Sequence, residues 1–259
     1  MVAPTDAFIS VPSATSLTEK DLEKLIDTFT SHKFAVLNLE ETGSPKEELL
    51  AFARVFGNVL PHDRADKDGV APITPMEGYA DYLGTTSQPH YPHSDGTFNS
   101  EAPHTAILYC ERQAQEGGMS HVISGKAAHA YLASMDPDGL KELYAPDAMT
   151  VTRADKTATR PVFSHHGDLT RIAFRYDTVA KVEVKPEARR AFELLRGFVR
   201  DPGNIFEFRL EPKQLFVVDN TAVLHGRTEF ASSDPRLLYR VNTDGASPHL
   251  PRLHYGFLL

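Results

Sequence analysis

Hydrophobic residues at helical spacing open the chain: Leu22, Leu25, Ile26 and Phe29 fall on one face, preceded by Ser16 and Glu19 at capping-box spacing. This pattern predicts a first helix. Residues 33–39 are short and apolar, as a strand would be, and Ser44, Pro45 and Glu47 then start a second helix that ends at Gly57. Residues 61–92 are rich in Pro, Gly and Asp, with one strand candidate at 79–83. The stretch reads as a long ordered loop, a kind of segment that often carries function in compact domains.

Two strand patterns, 104–110 and 119–124, flank Gly117 and Gly118. Helical patterns follow at 126–135 and 137–144, then short strand candidates around Val151, Val162 and Ile172. A further amphipathic helix at 186–199 has Ala188, Phe192, Leu195 and Val199 on one side. Residues 205–210, 215–218 and 236–241 return to strands separated by turn residues. The whole predicts a mainly β fold with flanking helices: an antiparallel jelly roll in one domain over residues 1–259, with a helical insertion at about 126–204. No repeat, low-complexity tract or linker interrupts it.

Composition narrows the partners. Hydrophobic residues at 41% and charged residues at 24% are the balance of a globular protein. A formal charge of −8, with no dense Lys/Arg block, argues against nucleic acid and membrane surfaces. Cys110 is the single cysteine, so neither an intrachain disulfide nor a thiolate metal cage can form, which favours a reducing cytoplasm. The first 16 residues lack the charge and apolar pattern of an export signal, and no apolar run approaches the ~20 residues that span a bilayer. The expectation is a cytoplasmic protein acting on a small molecule. A homo-oligomer is compatible with the sequence.

The chemistry concentrates in His93-Ser94-Asp95-Gly96. On an extended segment residues i and i+2 point to one side, so the His93 imidazole and the Asp95 carboxylate can converge on one ion. Such a pair is common by chance and needs a distant third ligand. His225 is the best candidate, because it follows the apolar strand and Asp219-Asn220-Thr221; the alternative is a core or capping histidine. Two histidines and a carboxylate leave positions open for a bidentate co-substrate and O₂, as in non-haem Fe(II) oxygenases. Downstream, Arg236, Leu238, Arg240 and Asn242 share one strand face and Leu237, Tyr239 and Val241 the other. Periodicity alone assigns the arginine face to solvent, although a lumen that binds a dicarboxylate would also need guanidinium groups.

Taken together, His93-Ser94-Asp95, Gly117-Gly118-Met119-Ser120, His225, Arg236 and Arg240 resemble the taurine dioxygenase family with its clavaminate-synthase-like members. The resemblance covers residues 90–242 and implies a double-stranded β-helix with Fe(II) on His93, Asp95 and His225. It also implies that 2-oxoglutarate and O₂ are co-substrates, with the distal 2-oxoglutarate carboxylate on Arg236 assisted by Ser120, where the family usually has Thr. Arg240 is implied to lie near the substrate or the other end of the co-substrate. Pro92 stands where many members carry Trp. Asp95 fills the position that halogenases of the family leave open for chloride, which implies an oxygenase or desaturase. Arg175, Asp177 and Gln88 are further substrate-contact candidates, an ordinary salt bridge being the competing reading for the Arg175–Asp177 pair. The substrate expectation is a small carboxylate-bearing molecule such as a free or modified amino acid, with Arg240 for its anion and Asp177 for its ammonium. A zinc hydrolase on the same ligands and a non-catalytic jelly-roll binding protein compete with the oxygenase reading. The paired glycines, Ser120 and Arg236 have no evident hydrolytic role.

Overall fold

The alternating strands of the second half need partners on both faces, and they find them by closing two sheets over one another. A computed structural model describes residues 4–41, 43–76 and 82–259. In chain order it contains β1 (Phe8–Val11), α1 (Glu19–His32), β2 (Phe34–Leu39), α2 (Pro45–Phe56), β3 (Ala71–Ile73), β4 (His90–His93), β5 (Thr105–Arg112) and β6 (Ser120–Ser124). Next come α3 (Gly125–Met135), α4 (Pro137–Glu142), β7 (Met149–Arg153), β8 (Lys156–Arg160), β9 (Phe163–His166), β10 (Leu169–Ile172), β11 (Lys181–Val184) and α5 (Arg189–Phe198). The chain finishes with β12 (Phe206–Phe208), β13 (Gln214–Asp219), β14 (Val223–Arg227) and β15 (Leu237–Thr243).

A six-stranded sheet, ordered β1-β2-β13-β5-β15-β3, packs on a four-stranded one, ordered β12-β6-β14-β4. This is the double-stranded β-helix. Val36, Cys110, Val122, Phe216, Val218 and Leu238 fill the space between the sheets. On the outer face of the larger sheet, Leu25, Phe29, Phe52 and Phe56 of α1 and α2 pack against Leu37, Ile107, Val217 and Val241. β15 is therefore buried on both faces: Leu238 points between the sheets and Val241 toward the helices. The solvent assignment for the arginine face is corrected by this layering, because helices cover the side that a two-layer reading leaves as the only core.

Between β6 and β12, α3, α4 and α5 share the segment with five short strands, β11-β7-β8 and β10-β9. Leu132, Phe163, Phe174 and Phe192 form its core and join Ile123 and Leu224 of the small sheet. The β7–β8 hairpin turns through Ala154 at φ 51.

Two local expectations shift. The cap of α1 is Thr18, which accepts from Asp21 N (3.2 Å) while Asp21 accepts from Thr18 N (3.0 Å). Ser16 instead closes a 3-10 turn, Ala14–Ser16, so the helix begins after it. Within 61–92 the structure adds β3 and β4, whose three and four residues are too few to show a period. Of the strand candidate at 79–83, residues 79–81 lie outside the described residues and Leu83–Thr85 is a 3-10 turn. Among the described residues no helix is long and apolar enough to cross a membrane.

Candidate active site

β4 and β14 are antiparallel neighbours in register at His93 and His225, so the two imidazoles stand side by side with ring centres 4.8 Å apart. Gly226 permits this approach, since a Cβ there would lie 2.3 Å from His90 O. Asp95 follows the end of β4 and is fixed through its backbone. Its N–H donates to Asn220 Oδ1 (2.7 Å), while Asn220 Nδ2 donates to the carbonyls of Asp95 (3.1 Å) and Pro103 (2.8 Å).

Ligand atoms of His93, Asp95 and His225 all lie within 4.8 Å of one another. His93 Nε2 is 3.2 Å and His225 Nε2 3.9 Å from Asp95 Oδ1. His93 Nδ1 faces Tyr91 O at 2.9 Å, an N–H donation that leaves the Nε2 lone pair for the cluster. Burial, with His93 alongside, pulls His225 down to about 3, so its ring is neutral. Burial pushes the Asp95 carboxyl up, but Arg240, His93 and His225 outweigh it and hold the group well below the usual carboxylate range. Two imidazoles and one carboxylate are the donor set that a divalent iron takes with positions to spare. The residues fit the metal.

Arg240 Nη1 and Asn242 Nδ2 each donate to Asp95 Oδ2 at 3.2 Å. Arg240 Nη2 donates to the Tyr82 hydroxyl and lies 2.7 Å from His62 Nε2. The guanidinium given a substrate role in the sequence reading is thus engaged on both sides.

Arg236 differs. Its side chain is 2% exposed, donates through Nε to Gln113 Oε1 (3.0 Å) and lies over Phe230. Its Nη1 is buried with no hydrogen-bond partner among the described residues. Burial draws the group down to about 10. A buried guanidinium with an unsatisfied donor and, among the described residues, no carboxylate in an ion pair with it fits an incoming carboxylate such as that of 2-oxoglutarate. Gly118, at φ 63, makes room for it, since a Cβ there would meet Arg236 Nε at 3.0 Å. Ser120 is buried on β6 opposite Arg227. Arg227, which the sequence reading passed over, donates to the carbonyls of Leu83 (3.1 Å), Thr86, Ser87 (3.4 Å) and Gln88 (2.5 Å), tying that loop to β14.

A cavity of about 470 Å³ opens beside Asp95, Arg240 and Asn242. His62, Tyr82 and His90 form part of its wall, and Arg64, Arg153, Lys156 and Arg175 add positive charge. His90 stacks on His93 with centres 3.9 Å apart, and its Nε2 is buried with no partner among the described residues. Two substrate-contact candidates are not brought to the cavity. Gln88 is exposed and its carbonyl accepts from Arg227. Asp177 is paired with Arg175 at 2.6 Å, the side chains 2% and 4% exposed, and its Oδ1 accepts from Val179 N (3.0 Å) and Ala180 N (2.9 Å). The ion pair is formed but buried, and only Arg175 reaches the cavity wall.

With this geometry the comparisons with known proteins agree. The sequence model of the family described as "Taurine catabolism dioxygenase TauD, TfdA family" matches residues 3–242. The chain belongs to this family. It is an Fe(II)- and 2-oxoglutarate-dependent dioxygenase, and the zinc-hydrolase and non-catalytic readings fall with that membership. A uridine-5'-phosphate dioxygenase from an Amycolatopsis species is 29% identical over 228 residues, covering 80% of this chain and 82% of the relative. Among solved structures, asparagine oxygenase with Fe(II), 3-hydroxyasparagine and succinate superposes with a TM-score of 0.69 at 18% identity, over 87% of this chain and 78% of that one. The non-haem iron oxygenase OrfP with iron and α-ketoglutaric acid gives 0.71 at 16% identity, over 90% and 82%. These two likenesses are of fold. The TauD fold of this chain thus carries His93 and His225 on adjacent strands, Asp95 just past the first of them, and Arg236 immediately before β15 of the larger sheet.

Proposed function

We propose that this TauD-family oxygenase oxidises a C–H bond of a small phosphate-bearing molecule of the nucleotide class, seated in the 470 Å³ cavity. The carrying observation is the charge of that cavity. Arg64, Arg153, Lys156 and Arg175 line it beside Asp63 and Asp155, apart from the Arg240–Asp95 pair, in a chain whose formal charge is −8. Positive charge gathered in one concave place on an acidic protein attracts a small anion there rather than generally. The volume lies in the range of small-ligand sites. The name of the Amycolatopsis relative supports the same class. An amino-acid substrate loses support because the Asp177 carboxylate, its expected ammonium partner, is already paired with Arg175.

In this reading His93, Asp95 and His225 hold the iron and Arg236, with the Ser120 hydroxyl, holds the distal carboxylate of 2-oxoglutarate. Bound iron supplies the activation of O₂ as 2-oxoglutarate is converted to succinate and CO₂. The chain's own part is orientation. Tyr82, His62 and Phe98 shape the wall, and the β7–β8 hairpin brings Arg153 and Lys156 over the cavity, with Lys156 bridged to Asp63 at 2.7 Å. Succinate release should therefore rise well above the substrate-free rate with nucleoside 5'-monophosphates and stay at that rate with the unphosphorylated nucleosides. A panel that adds amino acids, sulfonates, phosphonates and aryloxy acids decides between classes. Stimulation by amino acids alone would overturn the phosphate reading and restore the carboxylate one.

A further inference from the structure

Asp95 lies just past the end of β4 in the small sheet, yet its Oδ2 is held from the large one. Arg240 and Asn242 stand two apart on β15, so both side chains point between the sheets, and each reaches Asp95 Oδ2 at 3.2 Å. Oδ1 is left facing His93 Nε2 and His225 Nε2. The carboxylate is 5% exposed, so water has little access to supply these donors in their place. Arg240 is itself braced on its far side by Tyr82 and His62, which leaves the guanidinium little freedom to swing away.

We infer that Arg240 and Asn242 are positioning residues for the metal centre, clamping Asp95 Oδ2 so that the carboxylate offers Oδ1 alone to the iron. Without the clamp the carboxylate can rotate or chelate through both oxygens, occupying a position needed by the co-substrate. Both residues act through Asp95. The inference rests on the assignment of His93, Asp95 and His225 to the metal, and it departs from a substrate-anchoring role for Arg240.

The test uses Co(II), an air-stable stand-in whose visible spectrum reports coordination, with affinity measured by equilibrium dialysis. Outer-shell partners of metal ligands typically change affinity 10- to 100-fold, so Arg240→Met is expected to weaken cobalt binding by about that factor and to alter the bound spectrum. Asn242→Ala should do the same to a smaller degree, and Arg240→Lys should recover part of the loss. In an Asp95→Ala background, adding Arg240→Met should change affinity less than about twofold, because its target is gone. Equal losses in both backgrounds would assign Arg240 a general structural role and overturn the proposal. Unchanged affinity and spectrum in Asn242→Ala and Arg240→Lys would overturn it even if Arg240→Met does not fold. Failure of the unaltered protein to bind cobalt would instead reject the metal-site assignment on which the inference stands.

Discussion

His225→Ala is expected to weaken Fe(II) binding by more than about 100-fold and to abolish succinate formation, since removing a direct ligand exceeds the 10- to 100-fold loss typical of an outer-shell change. His225 is the one ligand contributed from outside the His93–Asp95 segment, and β14 holds it opposite His93. Without it the remaining pair is the chance motif that a surface loop can also carry. His93→Ala should behave alike. Anaerobic dialysis against Fe(II), followed by iron analysis, measures the first effect directly. Full iron binding and turnover in either variant would remove that residue from the metal site.

Arg236→Met should raise the 2-oxoglutarate requirement by at least about 100-fold, because a bidentate carboxylate contact comprises two charge-assisted hydrogen bonds of about 1.5–3 kcal/mol each. The same change should leave the ligand-free fold as stable as before, or more so. A buried cation without a carboxylate is unfavourable, and a thioether of similar length removes the problem. Excess 2-oxoglutarate should therefore raise the thermal midpoint of the unaltered protein but not of the variant. Ser120→Ala should have a smaller effect, about 1 kcal/mol or roughly fivefold. An unchanged 2-oxoglutarate requirement in Arg236→Met would show that another group holds the carboxylate.

The legible part of this site is the part written at short spacing. His93 and Asp95 two apart, and Arg236 and Arg240 four apart, share faces by strand alternation, and the long apolar segments define the layers that carry them. Alternation could not say which face of β15 meets the lumen, because α1 and α2 bury the other face and both sides look like core from within. Family resemblance supplied that step. Contacts between distant positions left no local trace. Asn220 supports Asp95 across 125 residues, and Arg227 holds Leu83 across 144, through backbone groups that every residue has. Asp177 shows a related limit: a carboxylate two residues from an arginine on an extended segment can face a ligand or its neighbour, and of the two readings the sequence leaves open the structure pairs it with Arg175.

The central claim is that one iron, bound by this chain, chelates 2-oxoglutarate within the fold. Anaerobic titration of the protein with Fe(II) in the presence of 2-oxoglutarate tests it most directly, because chelation of the iron produces a visible absorption band. The account predicts a band that saturates at one equivalent of iron, requires both reagents and is absent from His225→Ala. No band from the unaltered protein, or an equal band from that variant, would contradict it.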